Sequence, residues 1–114
     1  RHALDFLRQN YSVALMIDQR VSEGKKVSFF KKEAFTTTLP AQLSIKFKCD
    51  IIPVYITRQD NGNFLLEFSE QLQINKEDKS ERNILEITEK LNSIIEKMIL
   101  NNPGDWIWTH NRWK

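Results

Sequence analysis

The spacing of apolar residues is most regular in the last third of the chain. Between positions 84 and 98 they recur every three or four residues, which is the period of an amphipathic helix. Asp78 followed by Glu81 resembles a capping box at the start of this helix, and the Asn101–Gly104 segment, which contains a proline, predicts its end. The stripe consists of Ile84, Ile87, Leu91, Ile94, Ile95 and Met98.

A shorter stripe with a four-residue spacing predicts a second helix in the middle of the chain. Thr38 stands where an N-cap is expected, and Pro40 falls in the first turn, where a missing N–H does no harm. The helix is expected to end near Cys49. Its stripe residues are Leu39, Leu43 and Phe47.

Continuous apolar runs predict strands that are buried on both faces, as in a parallel sheet covered by helices. Val13–Ile17 and Ile51–Ile56 are such runs, and we expect them to lie in one sheet. Asp60–Asn63 carries the Asn-Gly signal of a hairpin turn that leads into the strand Phe64–Phe68, while Val27–Phe30 is either a short strand or an extended loop. This order predicts an α/β fold, namely a partial αβα sandwich with a mixed sheet, a C-terminal hairpin and a long amphipathic helix.

The composition agrees with a single folded domain over residues 1–114. Of the 114 residues, 40% are hydrophobic and 28% are charged, as in globular proteins, and no apolar run approaches the ~20 residues of a membrane span. One Cys and three Gly exclude an internal disulfide, a Cys-rich zinc site and a dinucleotide fingerprint, so no metal or cofactor is expected. The net charge of +2 is too weak to indicate nucleic-acid binding by itself. Because the sequence begins with Arg and not Met, we expect it to be part of a longer protein.

Polar residues follow the first apolar run at a point where a ligand crevice is expected. Asp18, Gln19 and Arg20 come directly after this strand, and the carboxyl ends of parallel strands usually face the ligand in open α/β sheets. These three residues are therefore candidates for substrate binding. An ordinary strand-ending turn, in which Asp is common, explains the same pattern, and both interpretations stay open.

Three consecutive threonines precede the second helix. Thr36, Thr37 and Thr38 offer hydroxyl and backbone N–H groups at a helix N-terminus, where anions bind. Helix capping accounts for one of them and leaves the other two unexplained. We therefore expect the threonines to line the same cleft as Asp18 and Arg20.

Four lysines surround an aromatic pair in the segment Lys25–Lys32. Segments of this kind bind single-stranded nucleic acid, anionic lipid headgroups or an acidic carrier protein. The alternative is a solvated loop whose charges prevent aggregation.

All three tryptophans of the chain lie in its last nine residues, together with His110, Arg112 and Lys114. Trp favours the membrane–water interface, where basic side chains meet lipid phosphates. The alternative is that the rings pack on the core. We expect Trp106 and Trp108 to pack against the long helix and Arg112 to pair with a carboxylate or a carbonyl and hold the segment in place.

Four blocks, taken in order, carry a family resemblance. The first is the Asp18-Gln19 pair that ends an apolar strand, the second is the aromatic pair with the threonines and the helix opening, and the third is the strand Ile52–Arg58. The closing block, Pro103–Lys114, is similar to a Pro-x-x-aromatic-x-Trp-x-His-x-Arg-aromatic-Lys ending and is the most specific of the four. Across essentially the whole chain, these blocks resemble the bacterial lipid A biosynthesis acyltransferases, the lauroyl/myristoyl transferases.

The resemblance implies a fold of the glycerolipid-acyltransferase-like type and an enzyme that transfers an acyl chain from acyl carrier protein. The acceptor would be a hydroxyl of a lipid A precursor or a related glycolipid, at the cytoplasmic face of the bacterial inner membrane, with no role for nucleic acid. The family's catalytic His-x4-Asp/Glu motif and its membrane anchor lie upstream of the Asp-Gln strand, and neither His2 nor His110 has an acid five residues later. No catalytic residue is therefore expected here, and the chain alone would be inactive. His110 and Arg112 are expected to be structural.

Two positions depart from the family pattern. Lys31 stands where the family usually has Gly after the aromatic pair, and Leu39 precedes Pro40 where a Gly is usual. These departures bear on the identity of the substrate and not on the fold. The rival interpretation is a non-enzymatic basic module that binds an anionic membrane surface or nucleic acid.

Overall fold

The computed structural model describes residues 2–113, in which short helices and strands precede one long helix. Lys114, which the interfacial interpretation of the C-terminal block includes, lies outside the described residues, as does Arg1. The elements in chain order are α1 (His2–Arg8), β1 (Lys25–Phe29), β2 (Lys32–Thr36), α2 (Leu39–Phe47), β3 (Val54–Arg58), β4 (Phe64–Phe68), α3 (Glu81–Asn101) and two short 3₁₀ helices (Pro103–Asp105 and Trp108–His110).

The first two strands form an antiparallel hairpin with a two-residue turn. Phe29 faces Lys32 across the hairpin, which leaves Phe30 and Lys31 at the turn. Their φ angles are 51° and 61°, in the left-handed region that a type I′ turn requires and that Gly or Asn usually fills. The strand interpretation is therefore confirmed for Val27 to Phe29, while Phe30 belongs to a turn that the sequence did not predict.

The third and fourth strands form a second antiparallel hairpin around the predicted Asn-Gly turn. Val54 faces Phe68 and Arg58 faces Phe64 at the two ends of the ladder. Gly62 adopts a φ angle of 81° in the turn, which explains the need for glycine there. One face of this hairpin is apolar and open to solvent, and it carries Val54, Ile56, Phe64, Leu66 and Phe68.

The prediction that Val13–Ile17 and Ile51–Ile56 share one sheet is wrong. Within residues 2–113 the first run belongs to no strand and is largely exposed, with Met16 at 84% of its full accessibility, while β3 begins only at Val54 and pairs with β4. Each strand pairs with its neighbour in the sequence, because a short turn closes a smaller loop than a crossover connection does. The mixed α/β class is confirmed, two antiparallel sheets replace the mixed sheet, and the αβα sandwich stays a prediction.

The long helix α3 organises the core, and its predicted amphipathic stripe is confirmed. On one part of α3, Ile87 and Leu91 pack with Ala41 and Ile45 of α2. Further along, the helix packs against the first hairpin. The second cluster consists of Phe29, Ala34 and Ile99, with Phe30, Ile95, Trp106 and Trp113 partly buried against it.

Both predicted helix caps differ in detail from the structure. Ser80, and not Asp78, caps α3, since the Ser80 hydroxyl accepts the N–H of Asn83 at 3.2 Å. The carboxylate of Asp78 accepts the N–H of Ser80 at 2.8 Å, so it supports the cap residue from two positions before it. Thr38 does occupy the N-cap position of α2, but its side chain makes no capping bond there. Its ψ angle of 2° lies outside the extended region from which a cap hydroxyl reaches the helix.

Candidate functional site

Arg112 is the most deeply buried charged side chain in the described part of the protein, with 1% of its surface exposed. Its guanidinium donates hydrogen bonds to the Phe35 carbonyl and, at 2.8 Å, to the Thr36 hydroxyl. The same guanidinium lies over the Phe29 ring at 5.1 Å. The preceding residue, Asn111, adopts a φ angle of 49°, a left-handed conformation that Asn tolerates and that turns the chain inward. These contacts agree with the structural interpretation of Arg112.

Thr36 connects this guanidinium to the long helix. Its hydroxyl donates to the Ala34 carbonyl at 3.1 Å and accepts both from Arg112 and, at 3.2 Å, from the Asn92 side-chain amide. Asn92 also donates to the Ser28 carbonyl at 2.9 Å. The C-terminal segment, β2 and α3 therefore meet at one buried hydroxyl, and Asn92 links β1 to the same network.

Sequence reasoning missed Asn92, although a signal was present. Asn92 and Thr88 stand among the apolar positions of the amphipathic stripe, and both are buried. A polar residue at such a position usually means a hydrogen-bonded network in the core. Within residues 2–113, the Asn92 Oδ1 and the Arg112 Nε are buried without a protein partner, so the network retains both an acceptor and a donor.

Asp18 is held beside this network by the C-terminal segment. The indole N–H of Trp106 donates to the Asp18 carboxylate at 3.2 Å. Burial lowers the pKa of the Arg112 guanidinium, and the nearby negative charge of Asp18 raises it again. We call Asp18, Thr36, Asn92, Trp106 and Arg112 the Arg112 cluster. It brings together the polar end of the first apolar run and the first of the three threonines.

The other candidate residues lie outside the Arg112 cluster. Gln19 and Arg20 are exposed. The Thr37 hydroxyl accepts the N–H of Leu39 at 3.2 Å, and the Thr38 hydroxyl accepts from the Gln42 side chain at 3.0 Å. Thr37 and Thr38 therefore serve the start of α2 and its first turn, and only Thr36 joins the Arg112 cluster.

The three tryptophans have different environments. Trp106 packs against the core that contains Ile99 of α3, as expected, and the indole N–H of Trp113 donates to the Phe29 carbonyl at 3.0 Å. The expectation that Trp108 packs against α3 is wrong, because its ring lies edge-on to Trp106 at 4.5 Å and is 48% exposed. Its N–H donates to the Pro103 carbonyl at 2.8 Å, which fixes the ring outside the core.

His110 is a half-buried part of the same aromatic assembly. Its ring lies edge-on to Trp106 at 5.1 Å, and its Nδ1 pairs with the Ile107 carbonyl.

Of the titratable side chains described, no three His, Cys, Asp or Glu residues converge as metal ligands would. Two open surface depressions, one along the outer face of α3 and one beside the second hairpin turn, are lined by residues other than those of the Arg112 cluster. No helix within residues 2–113 is long and apolar enough to cross a membrane.

The sequence matches the model of the bacterial lipid A biosynthesis acyltransferases over residues 1–114. The chain belongs to this family, so the resemblance of its four sequence blocks is confirmed. The comparison with curated proteins finds no match to this chain.

Proposed function

We propose that this protein takes part in the transfer of a fatty acyl chain, lauroyl or myristoyl, from acyl carrier protein to a hydroxyl of a lipid A precursor or a related glycolipid. The observation that carries the proposal is the family match along the whole chain. The proposed place of reaction is the cytoplasmic face of a bacterial inner membrane, and the proposed complete architecture is the αβα sandwich. Residues 1–114 would form the C-terminal part of that enzyme.

The reaction requires a general base that removes the proton of the acceptor hydroxyl. The hydroxyl oxygen then attacks the thioester carbonyl, an ester forms, and the carrier thiol leaves with the proton. Hydrogen-bond donors must stabilise the oxyanion that forms in between. His110 is a poor candidate for the base, because its Nδ1 pairs with a backbone carbonyl and its ring packs against Trp106. We propose that a His-x4-Asp/Glu motif outside this chain supplies the base.

The Arg112 cluster supports a positioning role for these residues. Trp106 holds the carboxylate of Asp18 in one place, and the two residues that follow, Gln19 and Arg20, are exposed where a polar headgroup could reach them. An arginine whose donors bond to the Phe35 carbonyl and the Thr36 hydroxyl is a structural anchor for this arrangement.

The charges of the first hairpin give less support to the rival basic module as a binder of nucleic acid. Lys25 pairs with Glu81 at 2.7 Å, and Lys26 lies 3.9 Å from Glu33. Two of the four lysines around the aromatic pair are therefore partly neutralised, which leaves a weak field for nucleic acid.

The proposal is tested by measuring acyl transfer from acyl carrier protein to a glycolipid acceptor. Activity is expected from a polypeptide that joins this chain to a His-x4-Asp/Glu segment, and none from the chain alone, because a general base contributes roughly 10²–10⁴-fold. Within the active polypeptide, D18N should lower the rate at least about tenfold, the usual effect of losing a charged hydrogen-bonding group. D50N is the matched control, since Asp50 pairs with Lys76 in the loops flanking the second hairpin. Ready transfer by the chain alone, or equal losses in the two variants, would contradict the proposal.

A further inference from the structure

The turn of the first hairpin lies beside exposed apolar side chains from the end of the protein. Ile107 is 68% exposed and directly precedes the half-exposed Trp108, and Leu100, near the end of α3, is 64% exposed. Phe30 and Lys31 form the adjoining turn. We call these five residues the tip.

Specific contacts hold the tip together. The Phe30 ring lies 6.1 Å from the ring of Trp108, and the Phe30 N–H donates to the carboxylate of Glu96 at 2.7 Å. Leu100 is one turn beyond Glu96 in α3 and therefore lies on the same side of that helix. The Phe30–Trp108 contact and the Phe30–Glu96 bond therefore bring three distant parts of the sequence together at this turn.

The backbone of the turn is unfavourable for the residues that occupy it. Both Phe30 and Lys31 have φ angles in the left-handed region, which glycine adopts far more readily than an aromatic or a lysine residue. Strained backbone of this kind occurs where the side chain has a role beyond folding. Here the strain places an aromatic ring and a positive charge at the end of a hairpin.

We propose that the tip is a membrane-contact surface that inserts into the headgroup region of an anionic bilayer. Trp, Leu and Ile side chains at the level of the headgroups gain from leaving water, and Lys31, with the exposed Lys32 beside it, matches the negative charge of the lipids. Arg112 takes no part, because its guanidinium is buried. This contact goes beyond the proposed reaction, and vesicle binding needs no acyl transfer, so the two proposals fail separately.

The test is co-sedimentation of the protein with phosphatidylcholine vesicles that contain or lack phosphatidylglycerol. Binding is expected to be stronger with phosphatidylglycerol. K31G should weaken it about fivefold, the effect of one lysine near an anionic surface, without lowering the melting temperature, because glycine suits the turn. The control is K48G, since Lys48 at the end of α2 also has a left-handed φ angle, 56°, and its replacement removes the same charge from the protein, although Glu77 pairs with Lys48 at 2.7 Å. K48G should retain the binding.

A second variant tests the apolar part of the tip. I107S removes an exposed aliphatic side chain and should weaken binding by about fivefold or more while the protein stays folded. Absence of wild-type binding to both vesicles would overturn the proposal. So would equal losses in K31G and K48G, which would mean that only total charge matters. Unchanged vesicle binding in K31G, with lost binding to acyl carrier protein, would assign the tip to an acidic protein partner instead.

Discussion

Trp106 and Asp18 are 88 residues apart in the sequence, and the indole N–H of one donates to the carboxylate of the other at 3.2 Å. This bond joins the C-terminal block of the family to its Asp-Gln pair. It gives the block a physical task, which is to fix the position of a carboxylate at a distant point of the chain.

We expect W106F to destabilise the protein by about 2 kcal/mol or more, because a hydrogen bond to a charged acceptor is lost and the smaller phenyl ring fills less of the half-buried site. W108F is the matched control, since the Trp108 indole bonds to a backbone carbonyl at an exposed site and should contribute less. Urea unfolding followed by circular dichroism measures both. Equal losses in the two variants would mean that the bond to Asp18 has no special weight.

Replacing Arg112 should affect stability and not membrane binding. R112A leaves the Phe35 carbonyl and the Thr36 hydroxyl without their buried donor, and a loss of about 3 kcal/mol or more is expected. R112K keeps the charge but lacks the planar guanidinium that serves both acceptors, so it should lose less and stay folded. The control is R82A, an exposed residue paired with Glu86 at 2.9 Å, for which a change within about 0.5 kcal/mol is expected. Unchanged melting with loss of vesicle binding in R112K would contradict the structural role.

Gly24 lies against the end of β2 without room for a side chain. A Cβ at this position would stand 2.6 Å from the Thr36 carbonyl oxygen and 2.7 Å from its nitrogen, both of them backbone atoms. G24A should therefore displace Thr36 and cost about 1–3 kcal/mol, as overpacking usually does. G104A is the control, because a Cβ there has nothing within 4 Å, and it should be neutral or slightly stabilising. Thermal melts of the two variants provide the comparison.

Acid should weaken the start of the long helix. The Ser80 amide and hydroxyl hold the pKa of Asp78 below its ordinary value, and Lys25 does the same for Glu81, whose ordinary value is 4.5. A lowered pKa in the folded state stabilises the protein above the unfolded-state pKa, and this contribution disappears as the pH falls through the folded-state pKa. The unfolding free energy should therefore decline from about pH 5 downward.

Replacing either partner of the Lys25–Glu81 ion pair should reduce this dependence of the unfolding free energy on pH. E81Q removes the titrating carboxyl group, and K25M removes the charge that lowers its pKa. Urea titrations at several pH values measure the slope. A slope that is identical in the wild type and both variants would show that this pair has no part in acid unfolding.

The elements that could be predicted from the sequence are those with local causes. The period of α3 and the Asn-Gly turn of the second hairpin both lie within a few consecutive residues. The first turn could not be predicted, because Phe30 and Lys31 carry no turn signal and the contacts of Phe30 with Glu96 and Trp108 are tertiary. The apolar run Val13–Ile17 was misassigned because hydrophobicity indicates what a segment could bury, and pairing depends on neighbours that lie far away in the sequence.

The residues of the Arg112 cluster could be selected from the sequence only in part, for the same reason. Asp18 and Arg112 could be selected because short motifs contain them, and Thr36 because it begins a run of hydroxyls. Their convergence on one network is a tertiary relationship, and Asn92, which completes it from α3, carries only a weak local signal. The sequence thus indicates the chemical groups, and the packing of the C-terminal segment decides which of them meet.

The second hairpin has a consequence for the behaviour of the protein in concentrated solution. In the described part of the chain its two strands pair only with each other, so both are edge strands with free backbone groups, and one face carries five exposed apolar side chains. Edges of this kind recruit further strands and promote aggregation, and Arg58, in register with Phe64, is the charge that interrupts this apolar face. Salt screens that charge, so self-association through this hairpin should increase with ionic strength.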